Sequence, residues 1–329
     1  MEKAVAVLAV LASLVLSASA SALVTVGQLA PTTVGLEACD YEDSYDEMQA
    51  SVASGNGYGV PVAGVLTSWS INAGSNPGQV LGFKVFRPVT GNGYTVVGFD
   101  SARQLAAGVL STFPISIPVL PGDLIGISLP TPHLTTQCDF STGLEGDLIR
   151  YEEGNQPLGG TVNFGSSYTG NRLNISATLL PPPVIASLAP GAGSIKGEKV
   201  TIAGADFASV SAVSFGGVPA KSFTVDSEGQ ITATAPASKK LIKVPVTVTT
   251  AAGTATSPTT YAYEGCKVPQ LKGKRLKASK KKANNADCKI GKVTKLDGAT
   301  GKTGEVIKQN PKPGKVLAPD TKIKVTLAP

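Results

Sequence analysis

A single histidine, His133, stands in the whole 329-residue chain, and a Ser–His–Asp hydrolytic site would have to use it. A Ser–His–Asp site needs that base within hydrogen-bond reach of a nucleophile on a strained turn. No G-x-S-x-G elbow occurs, so no serine is singled out, and His133, in "LPTPHLTTQCDF", reads as a surface-loop residue. Glycoside hydrolysis would need two carboxylates about 5–10 Å apart across a cleft. Asp123, Glu145 and Asp147 are available, but nothing in their spacing brings them together. The P-loop, GxGxxG and HExxH patterns are absent. Glu37, Asp40, Glu42, Asp43, Asp46 and Glu47 form an acidic run. A calcium ion would need six to eight oxygens, yet the run lacks the Asp-x-Asp-x-Asp-Gly order. It is expected to be a solvated acidic loop, able to dock against the basic tail. A non-catalytic chain without metal or cofactor is therefore the expectation, the alternative being an envelope or polysaccharide hydrolase with its site in the N-terminal part.

The cations are segregated. Residues 265–329 hold seventeen Lys or Arg against four Asp or Glu, a net +13, which leaves −7 for the remainder of a chain of net charge +6. Lys280, Lys281 and Lys282 are consecutive. Clustered cations suit nucleic acid, an anionic polymer, or merely a solvated face. Export and the lack of interleaved aromatics argue against nucleic acid.

Export is read from the first residues. Lys3 precedes an apolar run, Ala4 to Leu16, and then small-x-small patterns ending at Ala20 and Ala22. This is signal-peptide anatomy, and the run is short of the ~20 residues a membrane span needs. Residues 1–22 are expected to be removed, leaving a secreted, extracellular chain, wall-associated and outside the membrane.

The elements that must position any site are strands. From 23 to 180, apolar runs at Gly64–Ala73, Gln79–Phe86, Tyr94–Phe99, Phe113–Val119, Leu124–Leu129 and Asn174–Leu179 are bounded by Gly, Pro, Asn or Asp. Phe113, Ile115, Ile117 and Val119 alternate with a period of two, the mark of a half-buried strand. So many short strands predict a β-sandwich of jelly-roll type, with Trp69 in its core. The Asn174-Ile175-Ser176 sequon falls inside a predicted strand. Pro181-Pro182-Pro183 then stiffens the chain into a connector.

Residues 184–264 resemble the IPT/TIG immunoglobulin-like domain. The opening "VIASLAPGAGSIKGEKVTIAGADF", then "VSFGGVPA", "ITATAPA", "VPVTVTTAAGTATS" and the closing "TYAY" follow that family's order. The resemblance implies a second sandwich serving as spacer or interaction module. Gly204 and Gly216-Gly217 are expected at turns that a Cβ would obstruct.

Residues 265–329 resemble a PASTA domain, a small α+β module. Val268-Pro269-x-Leu271-x-Gly273 matches its opening and Leu276 its helix start. Gly291-Lys292-Val293 matches its next strand, and "GEVIKQNPKPGKVLAPDTKIKVTL" its closing hairpin. The helix face, Leu276, Ser279, Ala283 and Ala286, is poorer in apolar bulk than the family's. With these boundaries, Cys39 is expected to pair with Cys138 and Cys266 with Cys288. The second pair resembles a cysteine-bearing variant found in exported actinobacterial proteins. The PASTA resemblance implies recognition of peptidoglycan or an anionic wall polymer, with Lys280, Lys281, Lys282, Gln309 and Asn310 as candidate contacts. The N-terminal sandwich is left to engage a carbohydrate or protein ligand.

Overall fold

A computed structural model describes residues 23–39, 43–91, 93–131 and 136–329. The signal-type segment, Asp40, Glu42 and His133 lie outside those residues. The described chain is built of strands with one helix, Leu276–Asn284, and its apolar residues gather into three principal cores along the sequence.

The first core lies between two sheets. One has the antiparallel order Val24–Gln28, Ile175–Leu180, Gly64–Asn72, Leu110–Val119. The other runs Thr161–Asn163, Gly93–Gln104, Val80–Pro88, Leu124–Leu129, Tyr45–Ser51, Leu148–Glu153, Ser166–Thr169. The four-stranded sheet and the four strands Tyr45–Ser51, Leu124–Leu129, Val80–Pro88 and Gly93–Gln104 interleave along the chain as two Greek keys do, which is a jelly roll. Alternation explains why: Leu81, Phe83 and Val85 point inward to meet Leu66, Trp69 and Ile71 from the opposite sheet. Trp69 is fully buried, its ring 5.6 Å from Phe83 and 4.7 Å from Phe113, and its indole N–H donates to Asp100 Oδ2 at 2.8 Å.

A third, three-stranded sheet of Asn171–Leu173, Gln137–Ser141 and Leu36–Ala38 abuts this sandwich, and the Cys39–Cys138 disulfide ties its outer strand in, with Cα atoms 5.9 Å apart. The sequon does not read as a modification site. Asn174 is fully buried, accepting from Ala30 N at 2.9 Å and donating to Asn72 O at 2.6 Å.

The C-terminal end of the acidic run is not a solvated loop, although Glu37 and Asp43 are exposed. Asp46 and Glu47 lie within the strand Tyr45–Ser51 and are 1% and 0% exposed. Asp46 is neutralised by Lys84 Nζ at 2.6 Å, which removes it from any docking against the basic tail. Glu37 sits on the short strand Leu36–Ala38 and accepts from Asn171 Nδ2 at 2.9 Å.

The second core belongs to an immunoglobulin-like sandwich. Val200, Ile202, Ile231 and Ala233 from one sheet meet Val213, Phe215, Val246 and Val248 from another, closed by Tyr261 and Tyr263. Gly216 and Gly217 form the expected turn, both with positive φ. Gly204 differs: it is a strand residue, and a Cβ there would lie 1.9 Å from the carbonyl oxygen of Val184. Close backbone approach, not a turn, requires it.

The third core is small. Leu327, Val325 and Ile323 of strand Thr321–Ala328 pack under the helix, against Val268, Leu271, Ala283 and Val306. Helix residues Ser279 and Ala283 are buried while Leu276 and Ala286 are half-buried, so the helix face is as thin as its composition predicts. Cys266 and Cys288, both buried, are bridged with Cα atoms 4.8 Å apart. Strand Thr321–Ala328 is central, parallel to Cys288–Lys295 and antiparallel to Glu305–Asn310.

Candidate functional site

The triplet Lys-Val-Thr occurs twice in this last core, at 292–294 and 324–326. Strand alternation turns the central valines toward the core, Val325 buried and Val293 half-buried, and each lysine and threonine to the opposite face. Parallel pairing then aligns the two triplets, with Val293 opposite Val325 and Thr294 opposite Thr326. The antiparallel neighbour adds Lys308 opposite Thr326 and Asn310 opposite Lys324. The product is a shallow cleft of about 300 Å³ lined by Lys292, Thr294, Lys308, Asn310, Lys324 and Thr326. All three lysines are exposed. Among the described residues the ion pair of this segment is Lys289–Asp320, 3.1 Å apart and solvent-exposed on both sides, and it does not reach the cleft. Like charges set side by side on a sheet are destabilising. Three ammonium groups converging among hydroxyls with no carboxylate at hand form a site that an anion would relieve.

The sequence-nominated residues divide around this cleft. Asn310 lines it. Gln309 also borders it, but its amide is committed internally: it accepts from Leu271 N at 2.8 Å and donates to Pro269 O at 3.0 Å and Pro311 O at 3.3 Å. That side chain clamps the opening loop to the closing hairpin. Lys280, Lys281 and Lys282 are exposed on the helix. Lys281 and Lys282 line a separate depression of about 240 Å³ with Lys274, Ala278 and Asn285. Lys292, Lys308 and Lys324 escaped notice because they are far apart in sequence. The repeated Lys-Val-Thr was the available signal.

In the N-terminal domain two of the three carboxylates considered for acid–base work, Asp123 and Asp147, are spoken for, while Glu145 is exposed. Asp123 receives both Nε and Nη2 of Arg87, at 2.7 and 2.8 Å. Asp147, fully buried, is gripped by Arg172 through Nε and Nη2, both at 2.8 Å, and by Thr142 Oγ1 and Ala53 N. Burial works to raise the Asp147 pKa, but the bonds from Arg172, Thr142 and Ala53 outweigh it and hold the carboxyl below its usual range. Bidentate charge-assisted pairs of this kind fix geometry.

Two carboxyls, Asp46 and Asp139, are displaced the other way. Asp139 is 4% exposed, and burial, reinforced by nearby Glu37, pushes it up to about 6 against hydrogen bonds from Tyr168 and Asn171. Its Oδ1 is buried without a hydrogen-bond partner, while Oδ2 accepts from Tyr168 Oη at 2.8 Å and Asn171 Nδ2 at 3.2 Å. A raised carboxyl pKa suits a general acid, but a group this enclosed does not meet a substrate. Glu47 lies with Sγ of Cys39 and Cys138 within 4.8 Å of one another, an arrangement that holds no thiolate ligand because both sulfurs are spent in the disulfide.

With the geometry established, comparison with family models matches residues 183–263 to the IPT/TIG domain and 267–329 to the PASTA domain. The chain carries an IPT/TIG domain followed by a C-terminal PASTA domain. Together the two domains suggest a binding module of cell-envelope type, and PASTA domains generally bind peptidoglycan-type ligands. Comparison with curated proteins returned no match. Similar solved structures include the plexin A4 extracellular region, at 13% identity and TM-score 0.25, covering 62% of this chain and 17% of that one. Another is SGBP-B from a xyloglucan utilization locus in Bacteroides uniformis, at 15% identity and TM-score 0.24, covering 62% and 47%. A third is a Bacteroides thetaiotaomicron protein described provisionally as a phosphatase, at 23% identity and TM-score 0.22, covering 28% and 21%. The chain spans less than half the length of each. Likenesses this weak say nothing of function. Among the described residues no helix is long and apolar enough to cross a membrane.

Proposed function

We propose that the protein is a secreted, non-catalytic adaptor of the cell envelope whose PASTA domain holds an anionic wall polymer or peptidoglycan carboxylates. On this reading the IPT/TIG domain acts as a spacer and the jelly roll engages a ligand of its own. The observation that carries the reading is the convergence of Lys292, Lys308 and Lys324 from three strands onto one cleft free of acidic side chains. Such a site attracts polyanions at long range and is weakened by salt. The sequestration of Asp123 and Asp147 by arginines favours a binding role for the jelly roll over hydrolysis.

The test is co-sedimentation of the full chain with purified, insoluble wall material at low and high salt. Retention is expected to fall with added salt, and to drop at least fivefold when Lys292, Lys308 and Lys324 are changed together to Ala. A parallel variant altering Lys280, Lys281 and Lys282 removes the same charge from the helix. If both triple variants lose retention equally, bulk charge and not the cleft is responsible. If neither does, the anchoring role is wrong.

A further inference from the structure

The buried Lys84–Asp46 pair lies on the face of the seven-stranded sheet turned away from the main core, since its strand neighbours Phe83 and Val85 point inward. Burying two charges costs more desolvation than their attraction returns unless every remaining donor is used. Here every donor is used, two of them on one loop: Lys84 Nζ reaches Asp46 Oδ1 at 2.6 Å, Asn155 Oδ1 at 2.7 Å and Gln156 O at 2.7 Å, while Asp46 Oδ2 accepts from Gln156 N at 3.1 Å. Burial pushes Asp46 up and Lys84 down against the pull of that bond. The pair therefore works as a fastener that fixes the loop 154–158 over the sheet.

What the fastened loop encloses is a cleft of about 330 Å³. Its floor is Ser128 and Lys84, and one wall is Asn155 to Leu158. The opposite wall is Phe99, which stands directly across the strands from Lys84. Gly82 keeps the floor open: a Cβ there would lie 2.4 Å from Ser128 Oγ. Phe99 is 48% and Leu158 59% exposed, a ring and an aliphatic group facing solvent at the mouth. The charges around the cleft are spent, Lys84 on Asp46 and Asp100 on Arg103 at 2.7 Å. What remains on offer is neutral: the Nδ2 of an Asn155 whose oxygen is occupied, the Gln156 amide, and the Ser101 and Ser128 hydroxyls.

We infer that this cleft is a binding site for a neutral oligosaccharide. An exposed ring stacks on the C–H face of a pyranose, planar amides and hydroxyls pair with sugar hydroxyls, and a site without free charge does not recruit the polyanions that the PASTA face attracts. Rigid fixation of the wall lowers the ordering cost of binding. The inference rests on the jelly roll being the ligand-engaging module of the proposed adaptor.

The experiment is titration of the full chain with uncharged hexasaccharides of glucose, mannose and N-acetylglucosamine, read by calorimetry and by backbone amide shifts. At least one is expected to bind with a Kd below about 1 mM, shifting the amides of Phe99, Ser101 and Asn155. Phe99→Ala and Asn155→Ala should each weaken it five- to tenfold. Phe99 is exposed, so Phe99→Ala should keep the wild-type Tm and Trp69 fluorescence; Asn155→Ala also strands one donor of the buried Lys84, so its Tm should fall and its binding is read where Trp69 fluorescence shows it folded. Retention on wall material should be unchanged, which separates failure of this site from failure of the PASTA face. Absence of shifts with all three sugars at about 10 mM, or binding indifferent to both variants, overturns the inference.

Discussion

Asp139 offers a measurement in which sign and size both follow from the structure. Its carboxyl stands at about 6 in the folded protein against an ordinary 3.8. Below 3.8 it is protonated in folded and unfolded chains alike, and stability is complete. Between 3.8 and 6 the unfolded chain releases the proton while the folded chain keeps it, so stability falls as pH rises. Above 6 the loss is whole. A displacement of this size corresponds to roughly 3 kcal/mol. Asp139→Asn keeps shape, places its carbonyl where Oδ2 now accepts from Tyr168 and Asn171, and never ionises. An amide N–H₂ left at the enclosed Oδ1 position takes back about 1–2 kcal/mol. The variant should therefore be about 1–2 kcal/mol more stable than wild type at pH 7.5, a rise of roughly 3–6 °C in Tm for a domain of this length. At pH 4 it should be equal or slightly weaker. Trp69 is the chain's single tryptophan and lies in this core, so its fluorescence follows this domain's unfolding apart from the other two. A wild-type curve flat between pH 4 and 7.5, or a variant weakened equally at both, would refute the account.

Two further outcomes follow from buried groups. Lys84→Met should destabilise the jelly roll by about 3–5 kcal/mol, because it strands Asp46 without its counter-ion; adding Asp46→Leu should restore part of that loss, both read from Trp69 fluorescence in denaturant. Changing Cys266 and Cys288 together to Ser should cost the PASTA domain about 3 kcal/mol through the 22-residue separation they close, seen as earlier loss of the helical signal at 222 nm while Trp69 unfolds as before.

The jelly roll was legible wherever apolar residues alternate. The strand Leu124–Leu129 falls on its predicted bounds, and Val80–Pro88 and Leu110–Val119 lie within a few residues of theirs. Tyr45–Ser51 was not, because "YDEMQAS" puts two acids in its centre and reads as loop. Only the fold brings Lys84 onto Asp46, and the hydrophobic signal cannot represent a strand whose inward and covered positions are ionic. The strand Leu148–Glu153 escaped for the same reason, its "LIRYEE" being half charged.

The two candidate sites failed to show in sequence for a related cause, and the contrast between them bears on what each can hold. In the PASTA domain the lysines lie 16 residues apart in sequence, at 292, 308 and 324, and only the pairing of strand Thr321–Ala328 with a parallel neighbour on one side and an antiparallel one on the other aligns them. Their charge is left unpaired, so the site is cheap to build but depends on ionic strength. In the jelly roll the charges are paired and buried to hold a wall in place, so that the cleft they shape is neutral. A protein that needed only bulk attraction would have no reason to bear the desolvation of Lys84. The fastener is therefore better explained by a shape to be kept than by a charge to be offered, and salt should separate the two sites: raising it releases a ligand of the lysine face while leaving binding beside Phe99 essentially unchanged.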